Sequence, residues 1–251
     1  MKSINLELSA TKDYSVGEAI KALRTNIQFC GTDVKAIAVT SCYPNEGKST
    51  ISLELSNSLA QVGKKVLFID ADMRKSVIVK KYVAQTGIVG LSQYLSGQST
   101  LEEVLYATQT DGLHVIFAGQ FPANPVELLN STAFKNLIEE QTKVYDYVIV
   151  DTPPLGMVID CAVVSNICDS AVMVIAAGRV SNRRAMTIKN QLTKSGVRIL
   201  GVVLNLIKTK GGSYPMSYGR YSKRYGKTYG ARPVAPRDAS SDRVVIAKDE
   251  Y

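Results

Sequence analysis

The sequence predicts an α/β fold, a mostly parallel sheet with helices on both faces, followed by a flexible C-terminal tail. Three observations support this prediction. Short apolar runs alternate with segments of helical periodicity over most of the 251 residues. A Gly-Lys-Ser sequence at 47–49 stands between one apolar run and one helical segment, which is the setting of a phosphate-binding loop. Two later apolar runs each end in an aspartate. Together these features indicate a P-loop NTPase fold.

The chain divides into three predicted regions. Residues 1–34 form an N-terminal segment with one helix, residues 35–207 form the P-loop domain, and residues 208–251 form the tail. The first fourteen residues are polar, and we expect them to be loosely held.

A helix is predicted from Ser15 to Phe29, where apolar residues recur at helical spacing. Ser15 followed by Glu18 is the pattern of an N-terminal capping box. The polar face of this helix carries Glu18, Lys21 and Arg24. These charges form either a solvated face or a surface that docks a neighbouring subunit, and composition favours the solvated face.

The candidate phosphate-binding loop runs from Ser41 to Thr50. Its backbone N–H groups and the positive end of the following helix would cradle a β-phosphate. Lys48 would reach the β- and γ-phosphates, and the Ser49 hydroxyl would ligate Mg²⁺. The consensus places a glycine five positions before Gly47, and that position is Cys42 in this chain.

Aspartates follow two predicted strands at the edge where the phosphate-binding loop lies. Strand 65–69 is followed by Asp70 and Asp72, and strand 145–150 by Asp151. The carboxyl ends of parallel strands open onto one ligand crevice. Asp70 and Asp72 are separated by one residue and so face the same side of an extended chain, which suits a metal ligand and a proton acceptor. Asp151 is expected near Mg²⁺.

The remaining elements complete an alternating series of strands and helices. Residues 75–110 are expected to form surface helices and loops. Beyond them we predict strand 113–117, a rigid loop at 119–125, helix 126–143, helix 161–168, strand 170–176, helix 181–195 and strand 199–204. His114 alternates with apolar neighbours, which indicates a structural role. Asn205 follows the last strand, where its amide would pair with a base edge.

Composition argues against several classes of protein. The net charge of +8 arises in one late segment, because seven basic and no acidic residues lie between Lys208 and Arg232, which leaves 23 basic and 22 acidic residues elsewhere. A nucleic-acid-binding body is therefore not indicated. The chain has no apolar run of membrane-spanning length and its N-terminus lacks the apolar core of a signal peptide, so we expect a cytoplasmic protein. The four cysteines form no C-x-x-C pair, which argues against a metal site.

The tail combines glycine and proline with regularly spaced tyrosines. The cluster consists of Tyr214, Tyr218, Tyr221, Tyr225 and Tyr229, interleaved with basic residues. Because glycine and proline disfavour a stable helix, we expect a flexible basic segment. The pattern is consistent with phosphoacceptor tyrosines or with aromatic residues that stack on single-stranded nucleic acid.

Three motifs together give the chain a family resemblance. They are the loop 44–50, the Walker A′-like sequence Phe-Ile-Asp-Ala-Asp-Met-Arg at 68–74, and the Walker B-like sequence Val-Ile-Val-Asp-Thr-Pro-Pro at 148–154. With the tyrosine-rich C-terminus, the chain resembles the bacterial protein-tyrosine kinases (BY-kinases) of capsular and exopolysaccharide clusters. The resemblance implies the fold of the MinD/ParA-like ATPases.

The resemblance implies ATP and Mg²⁺ as ligands and gives each site residue a role. The implied phosphate-binding residues are Asn45, Glu46, Gly47, Lys48, Ser49 and Thr50, and Asn205 matches the residue that binds adenine. Asn45 stands where many members have glycine, which a left-handed turn residue would tolerate. Asp70 is implied as the base or orienting group for a tyrosine hydroxyl, with Lys48 and Asp72 as the other catalytic residues. Ser49, Asp72 and Asp151 are the implied Mg²⁺ ligands.

The resemblance also implies an assembly. Glu18, Lys21 and Arg24 match an oligomerisation motif in which Lys21 replaces an arginine, and lysine cannot form a planar bidentate pair. The tail tyrosines would be phosphorylated in trans within a homo-oligomer. Implied partners are a membrane-bound adaptor of the polysaccharide copolymerase type that activates the kinase, a cognate tyrosine phosphatase and other protein substrates. These partners would place the chain at the inner face of the membrane, regulating polysaccharide synthesis and export.

Two other functions stay open at this point. One is a partition-type P-loop ATPase with a nucleic-acid-binding tail. Relatives of that type carry a second lysine early in the loop, and this chain has none between Thr40 and Lys48, which argues against it. The other is a non-catalytic nucleotide switch in polysaccharide assembly.

Overall fold

The computed structural model describes residues 2–8, 14–84 and 87–207, and the backbone of residues 245–247. Its strands are β1 (Lys2–Ser3), β2 (Ala36–Ser41), β3 (Val66–Asp70), β4 (Leu105–Ala107), β5 (Leu113–Ile116), β6 (Tyr147–Asp151), β7 (Ser170–Ala176), β8 (Arg198–Asn205) and β9 (Val245–Ala247). Its helices are α1 (Tyr14–Gln28), α2 (Lys48–Ala60), α3 (Ile78–Tyr82), α4 (Leu91–Leu95), α5 (Leu101–Val104), α6 (Pro125–Leu129), α7 (Thr132–Val144), α8 (Asp160–Ser165) and α9 (Asn182–Lys194).

Within the described residues, nine strands form one sheet in the order β1-β4-β5-β3-β6-β2-β7-β8-β9. The six strands from β5 to β8 in this order are parallel to one another, and β1 is parallel to β4. Strand β4 runs antiparallel to β5, and β9 runs antiparallel to β8. Parallel neighbours require a crossover connection, and helices supply most of these crossovers. The predicted mostly parallel sheet is confirmed.

The central strands separate two hydrophobic cores, because successive side chains point to opposite faces of a sheet. In β2, Ile37 and Val39 belong to the core that contains residues of α1, α2 and α3. Ala36 and Ala38 belong to the other core, which contains residues of α4 to α9. All residues of β2, β3, β6 and β7 are buried, as expected for strands covered on both faces. The prediction of helices on both faces is confirmed.

The N-terminal residues are held more firmly than their composition suggests. Ile4 and Leu6 are only 4% and 3% exposed. The Ile4 N–H donates to the Ala107 carbonyl (2.8 Å), and the Gln109 side chain bonds both the N–H (2.9 Å) and the carbonyl (2.7 Å) of Leu6. The expectation of a loosely held segment is therefore wrong for residues 2–8. The physical reason is the two-residue spacing of Ile4 and Leu6, which turns both side chains to the core from one side of an extended segment.

Two helix boundaries differ from their predictions. Helix α1 spans Tyr14–Gln28, one residue ahead of the predicted span at each end. The predicted helix 126–143 is in fact two helices, α6 and α7. The break arises at Ser131, whose hydroxyl accepts a hydrogen bond from the Phe134 N–H and so caps the second helix.

Residues 75–110 lie deeper than predicted. The short helices α3, α4 and α5 are present, but Tyr82, Leu91 and Val104 are buried in the cores. Tyr106 is also buried, within β4. Because each of these short elements buries few residues, the region shows no long apolar period from which its burial could be predicted.

The five clustered tyrosines, and most of the predicted tail, lie outside the described residues. At 245–247 the backbone forms β9, with Val245 opposite Leu204 of β8. Regular structure therefore occurs near the end of the segment that the sequence predicts to be flexible. Among the described helices, none combines the length and the apolar character needed to cross a membrane.

Replacing Ile4 with alanine tests whether the N-terminal strand belongs to the fold. We expect Ile4→Ala to lower the free energy of unfolding by about 2–4 kcal/mol, because it removes a buried aliphatic group and leaves a cavity. Asn5 is exposed, and the control Asn5→Ala should change that free energy by less than about 0.5 kcal/mol. Urea denaturation measures both. Equal, near-zero effects would show that residues 2–8 detach without cost.

Candidate active site

The predicted site residues meet at the carboxyl edge of the sheet. Strands β3 and β6 are neighbours, and their last residues, Asp70 and Asp151, lie directly opposite each other. Strand β2 ends beside them and leads into the phosphate-binding loop. A cavity of about 770 Å³ opens at this edge. Its wall includes Asn45, Glu46, Gly47, Lys48, Ser49, Thr50, Asp72 and Asn205.

The loop before α2 uses left-handed backbone at two positions. Asn45 has φ 62° and Gly47 has φ 87°. A side chain at position 47 would also collide with the Asn205 amide, since a Cβ there would lie 2.1 Å from Nδ2. Glycine is therefore required at 47 for its conformation and for space. Asparagine is among the few other residues that adopt the left-handed region readily, which explains Asn45.

Two hydrogen bonds hold this loop against strands β7 and β8. One uses the side chain of Glu46 in the loop, and the other uses the side chain of Asn205 at the end of β8. The Glu46 carboxylate accepts hydrogen bonds from the backbone N–H of Tyr43 (2.7 Å) and of Ala176 at the end of β7 (3.0 Å). The Asn205 amide donates to the Glu46 carbonyl (2.9 Å). The Glu46 side chain is thus turned into the protein. In this arrangement the Asn205 amide holds the loop as well as lining the cavity.

Lys48 carries its charge into a buried cluster of oxygen atoms. Its Nζ lies 3.1 Å from Asp151 Oδ2, 3.4 Å from Asp72 Oδ2 and 3.0 Å from the Ser49 hydroxyl. Burial opposes the charged form of a lysine, but the attraction of Asp151 and Asp72 outweighs it, so the pKa of Lys48 is raised. The structure brings these four residues together at the edge of the sheet where the sequence places them.

The three aspartates differ in access. Asp72 lines the cavity, whereas Asp70 and Asp151 have no exposed surface. Burial, followed by repulsion from Asp151, raises the pKa of Asp70 to about 8. The Asp70 carboxylate accepts hydrogen bonds from the Ser76 hydroxyl and from the Asp72 N–H (3.1 Å). Burial also raises the pKa of Asp151, although Lys48 opposes this shift.

The donor set at this cluster fits Mg²⁺. A hydroxyl from Ser49 and carboxylates from Asp72 and Asp151 are oxygen ligands, which Mg²⁺ prefers. In the described part of the chain, no group of three His, Cys, Asp or Glu side chains is arranged to hold a metal by itself. A bound Mg²⁺ would therefore depend on phosphate oxygens of a nucleotide as well, as is usual for this ion.

Several functional contacts were not predicted from the sequence. The Ser52 hydroxyl donates to Asp151 (3.0 Å), and Lys81 Nζ donates to the Thr50 hydroxyl (2.9 Å), which Tyr82 OH also contacts. Arg74 forms a two-bond ion pair with Asp160 at the start of α8 (2.7 and 3.2 Å). These partners are distant in sequence from the residues they hold, so no local motif marks them.

The predicted oligomerisation residues do not share one environment. Lys21 and Glu18 form an exposed ion pair (2.8 Å) on α1. Arg24 instead donates to the carbonyl and the hydroxyl of Ser58 on α2 (3.0 Å each). Val16, from the same helix, lines the cavity. Helix α1 therefore contacts both the cavity and helix α2, which follows the candidate phosphate-binding loop.

Cys42 and His114 have structural contacts. Cys42 is buried in one hydrophobic core, and burial together with Glu46 raises the pKa of its thiol to about 11. One ring nitrogen of His114 hydrogen-bonds Tyr145 OH (2.7 Å), and burial lowers the pKa of His114. These contacts agree with the structural role predicted for His114.

The chain is similar in sequence to proteins named tyrosine-protein kinases. A family model described as an AAA domain matches residues 34–202. The tyrosine-protein kinase CpsD of Streptococcus agalactiae is 42% identical over 207 residues, which cover 82% of this chain and 90% of that protein. The tyrosine-protein kinase YwqD of Bacillus subtilis (strain 168) is 37% identical over 209 residues, which cover 82% of this chain and 86% of that protein.

Solved structures extend this likeness to the fold. The kinase domain of the Escherichia coli tyrosine kinase ETK superposes with a TM-score of 0.77 at 34% identity, over 85% of this chain and 86% of that one. The septum site-determining protein MinD of Pyrococcus horikoshii, solved with Mg-ADP, gives a TM-score of 0.60 at 21% identity, over 75% of this chain and 76% of that one. The second likeness concerns the fold alone, and it bears out the predicted MinD/ParA-like architecture.

Gly47→Ala tests the fit of the phosphate-binding loop. We expect ATP binding to weaken by more than about tenfold, because the new methyl group collides with the Asn205 amide in a backbone conformation that disfavours alanine. Gly63 is the matched control, since it also has a positive φ (81°) but nothing within 4 Å of an added Cβ. Gly63→Ala should leave ATP affinity unchanged. Titration with a fluorescent ATP analogue compares them, and equal losses would mean that the collision is unimportant.

Asp70→Asn tests the buried acid by the pH dependence of stability. Because the folded protein holds a proton on Asp70 up to about pH 8, whereas an unfolded aspartate loses it near its ordinary pKa, stability should fall as pH rises from 4 to 8. In Asp70→Asn this fall should be smaller by at least about 1 kcal/mol. Denaturation in Mg²⁺-free buffer measures it, with the exposed Asp111→Asn as control. Identical pH profiles for wild type and Asp70→Asn would contradict the assignment.

Proposed function

We propose that this chain, which belongs to the bacterial tyrosine-protein kinase family and carries an AAA domain, phosphorylates tyrosines of its own C-terminal segment in trans and so regulates polysaccharide synthesis and export. The chain is a protein-tyrosine kinase, an enzyme that transfers the terminal phosphate of ATP to a tyrosine hydroxyl. The observation that carries the mechanism is the buried contact of Lys48 with Asp72 and Asp151 at the start of α2.

The phosphate-binding loop supports ATP binding through its backbone and one lysine. The N-terminal end of α2 presents N–H groups and a partial positive charge to the cavity, which favours phosphate. Lys48 would exchange its contacts with Asp72 and Asp151 for contacts with the β- and γ-phosphates. Its charge stays paired before and after this exchange, so no isolated buried charge is created.

Ser49, Asp72 and Asp151 would hold Mg²⁺ together with phosphate oxygens. When bound, the ion neutralises charge on the phosphates and orients them for transfer. The chain keeps the two carboxylates in place: the Ser52 hydroxyl donates to Asp151 (3.0 Å), and the Lys75 N–H donates to Asp72 (3.1 Å). Such fixed donors suit phosphoryl transfer, which depends on positioning and charge neutralisation.

We assign Asp70 as the base or orienting group for the acceptor hydroxyl, with Asp72 beside it. In its ionised form, a buried carboxylate whose pKa is about 8 is a stronger proton acceptor than an exposed one. Asp72 lines the cavity and its N–H donates to the Asp70 carboxylate, so the two act as one unit. The acceptor tyrosine would reach Asp70 from the side of the cavity where Asp72 lies.

The proposed acceptors are Tyr214, Tyr218, Tyr221, Tyr225 and Tyr229. They lie in a segment with seven basic and no acidic residues between Lys208 and Arg232. Each phosphate adds a charge of about −1.5 to −2. About four or five phosphates would therefore cancel the positive charge of the segment, which would provide a route to disassembly of a homo-oligomer.

Helix α1 is the proposed contact between copies of the chain. Glu18 and Lys21 are exposed and oppositely charged, so they are available for pairs with a neighbouring subunit. Arg24 contributes indirectly, because its bonds to Ser58 hold α1 against α2. Since α1 also lines the cavity, assembly and nucleotide binding would influence each other.

The proposed partners follow from the family. A membrane-bound adaptor of the polysaccharide copolymerase type would activate the kinase and hold it at the inner face of the membrane. A cognate tyrosine phosphatase would remove the phosphates from the tail tyrosines, and other proteins would also be substrates of the kinase. A partition-type ATPase is less well supported, because the likeness to MinD is 21% identity.

We expect ATP and Mg²⁺ to produce phosphotyrosine within residues 214–229 of the wild-type chain, with the adaptor's cytoplasmic segment present. Lys48→Met should reduce this at least about 100-fold, because it removes the cation that binds the phosphates. The control is Lys65→Met, since Lys65 is exposed. Mass spectrometry locates the phosphates. Phosphate on serine or threonine alone, or an unchanged yield in Lys48→Met, would contradict the proposal.

Mixing two full-length variants tests transfer in trans. The donor carries Tyr→Phe at the five clustered positions, and the acceptor carries Lys48→Met. Neither phosphorylates its own cluster, so phosphotyrosine on the acceptor arises only between copies. If the mixture stays unphosphorylated while the wild type is phosphorylated, transfer occurs within one chain.

A further inference from the structure

We propose that Arg184 is a positioning residue for the nucleotide site, although it contacts no predicted catalytic residue. Arg184 lies near the start of α9, on one face of the sheet. Its Nη2 donates to the Gly156 carbonyl (2.6 Å), and its guanidinium lies over the Tyr43 ring, 5.4 Å from the centroid. One side chain thus joins the phosphate-binding loop to the loop that follows Asp151. The inference rests on the proposed nucleotide site.

Both of the joined loops line the cavity. Tyr43 belongs to the first loop, and Pro154, Met157 and Val158 belong to the second. At Gly156 the loops are in direct contact, since an added Cβ would lie 1.9 Å from the Cys42 carbonyl oxygen. Arg184 therefore braces the two loops at a point where their backbones are already in contact.

The phosphate-binding loop needs such bracing because of its conformation. Asn45 has φ 62°, and non-glycine residues in this region persist where surrounding contacts hold them. Tyr43 is the contact that Arg184 holds, and the Tyr43 N–H donates to Glu46, which is bonded in turn to Ala176. The loop is already held by Ala176 of β7 and Asn205 of β8, and Arg184 adds a contact from α9.

In the part of the chain that the structure describes, one of the hydrogen-bond donors of the Arg184 guanidinium has no partner. Arg184 Nε is buried and, within the described residues, has no hydrogen-bond partner. A buried donor without a partner disfavours folding, so stability alone does not explain an arginine at this position. A neutral side chain would avoid the unsatisfied donor but would lose both loop contacts. This contrast points to loop positioning as the role of Arg184.

Titration of Mg-ATP and steady-state kinetics test the proposal on the full-length chain. We expect Arg184→Ala to raise the dissociation constant and the KM for ATP about tenfold, which corresponds to about 1.4 kcal/mol. We expect kcat at saturating ATP to stay within about twofold, because the lost contact aids binding in the ground and transition states alike. Arg184→Lys keeps a positive charge and a donor but loses the planar guanidinium over Tyr43, so its affinity should lie between those of wild type and Arg184→Ala. The exposed neighbour Arg183 supplies the control Arg183→Ala.

A double-mutant cycle shows whether Arg184 acts through the loop. Tyr43→Leu removes the ring under the guanidinium, so Arg184→Ala should weaken binding by less than about twofold in that background. Hydrogen exchange of residues 41–47 without nucleotide should be faster in Arg184→Ala, which is a readout independent of activity and of global folding. Independent, multiplicative effects of the two substitutions would overturn the proposal.

The outcomes separate this inference from the proposed function. If wild type binds Mg-ATP and transfers phosphate while folded Arg184→Ala matches it in affinity, the positioning role alone is overturned. If Arg183→Ala weakens binding equally, the effect is general to α9 and the positioning role is again overturned. If wild type binds no nucleotide, both proposals fail.

Discussion

A buried lysine balanced by two aspartates is the interaction on which this site depends. Taking the Lys48 ammonium out of water is unfavourable unless opposite charges lie close to it, and Asp151 and Asp72 are within 3.1 and 3.4 Å. Asp70 lies opposite Asp151 in the sheet, so the cluster holds more acidic than basic groups. Such a cluster favours an additional cation, and in the proposed complex phosphate groups with Mg²⁺ would satisfy both Lys48 and the acids.

The sheet explains how these groups meet. Parallel strands end at a common edge, so residues more than 100 positions apart in the chain, such as Lys48 and Asp151, become neighbours. The loop that carries Lys48 is then held by strands on its other side, through Glu46 and Asn205. The charged cluster and the loop with left-handed residues are therefore both positioned by the ends of the parallel strands. A shift in the register of these strands would displace both.

Helix α1 lies between the phosphate-binding loop region and the protein surface. Its buried residues pack on α2, Arg24 bonds Ser58, and Val16 reaches the cavity wall, while Glu18 and Lys21 face solvent. One helix thus carries two exposed charged residues and also lines the cavity. In the proposed transfer between copies, a contact at Glu18 and Lys21 would act directly on the helix that lines the cavity.

The sequence by itself determined the alternating elements, the two covered faces of the sheet, and the identity of the residues at its carboxyl edge. These rest on local patterns: apolar runs, helical spacing and the Gly-Lys-Ser motif. Only the tertiary structure decided that Ile4 enters the core, that the Glu46 side chain turns inward, and that Arg24 and Arg184 bond distant backbone. The physical reason is that a hydrogen bond or a buried contact depends on which segments the fold brings together. The local spacing of apolar residues indicates which face of a segment is buried. It does not indicate which distant segment packs against that face or forms hydrogen bonds with it.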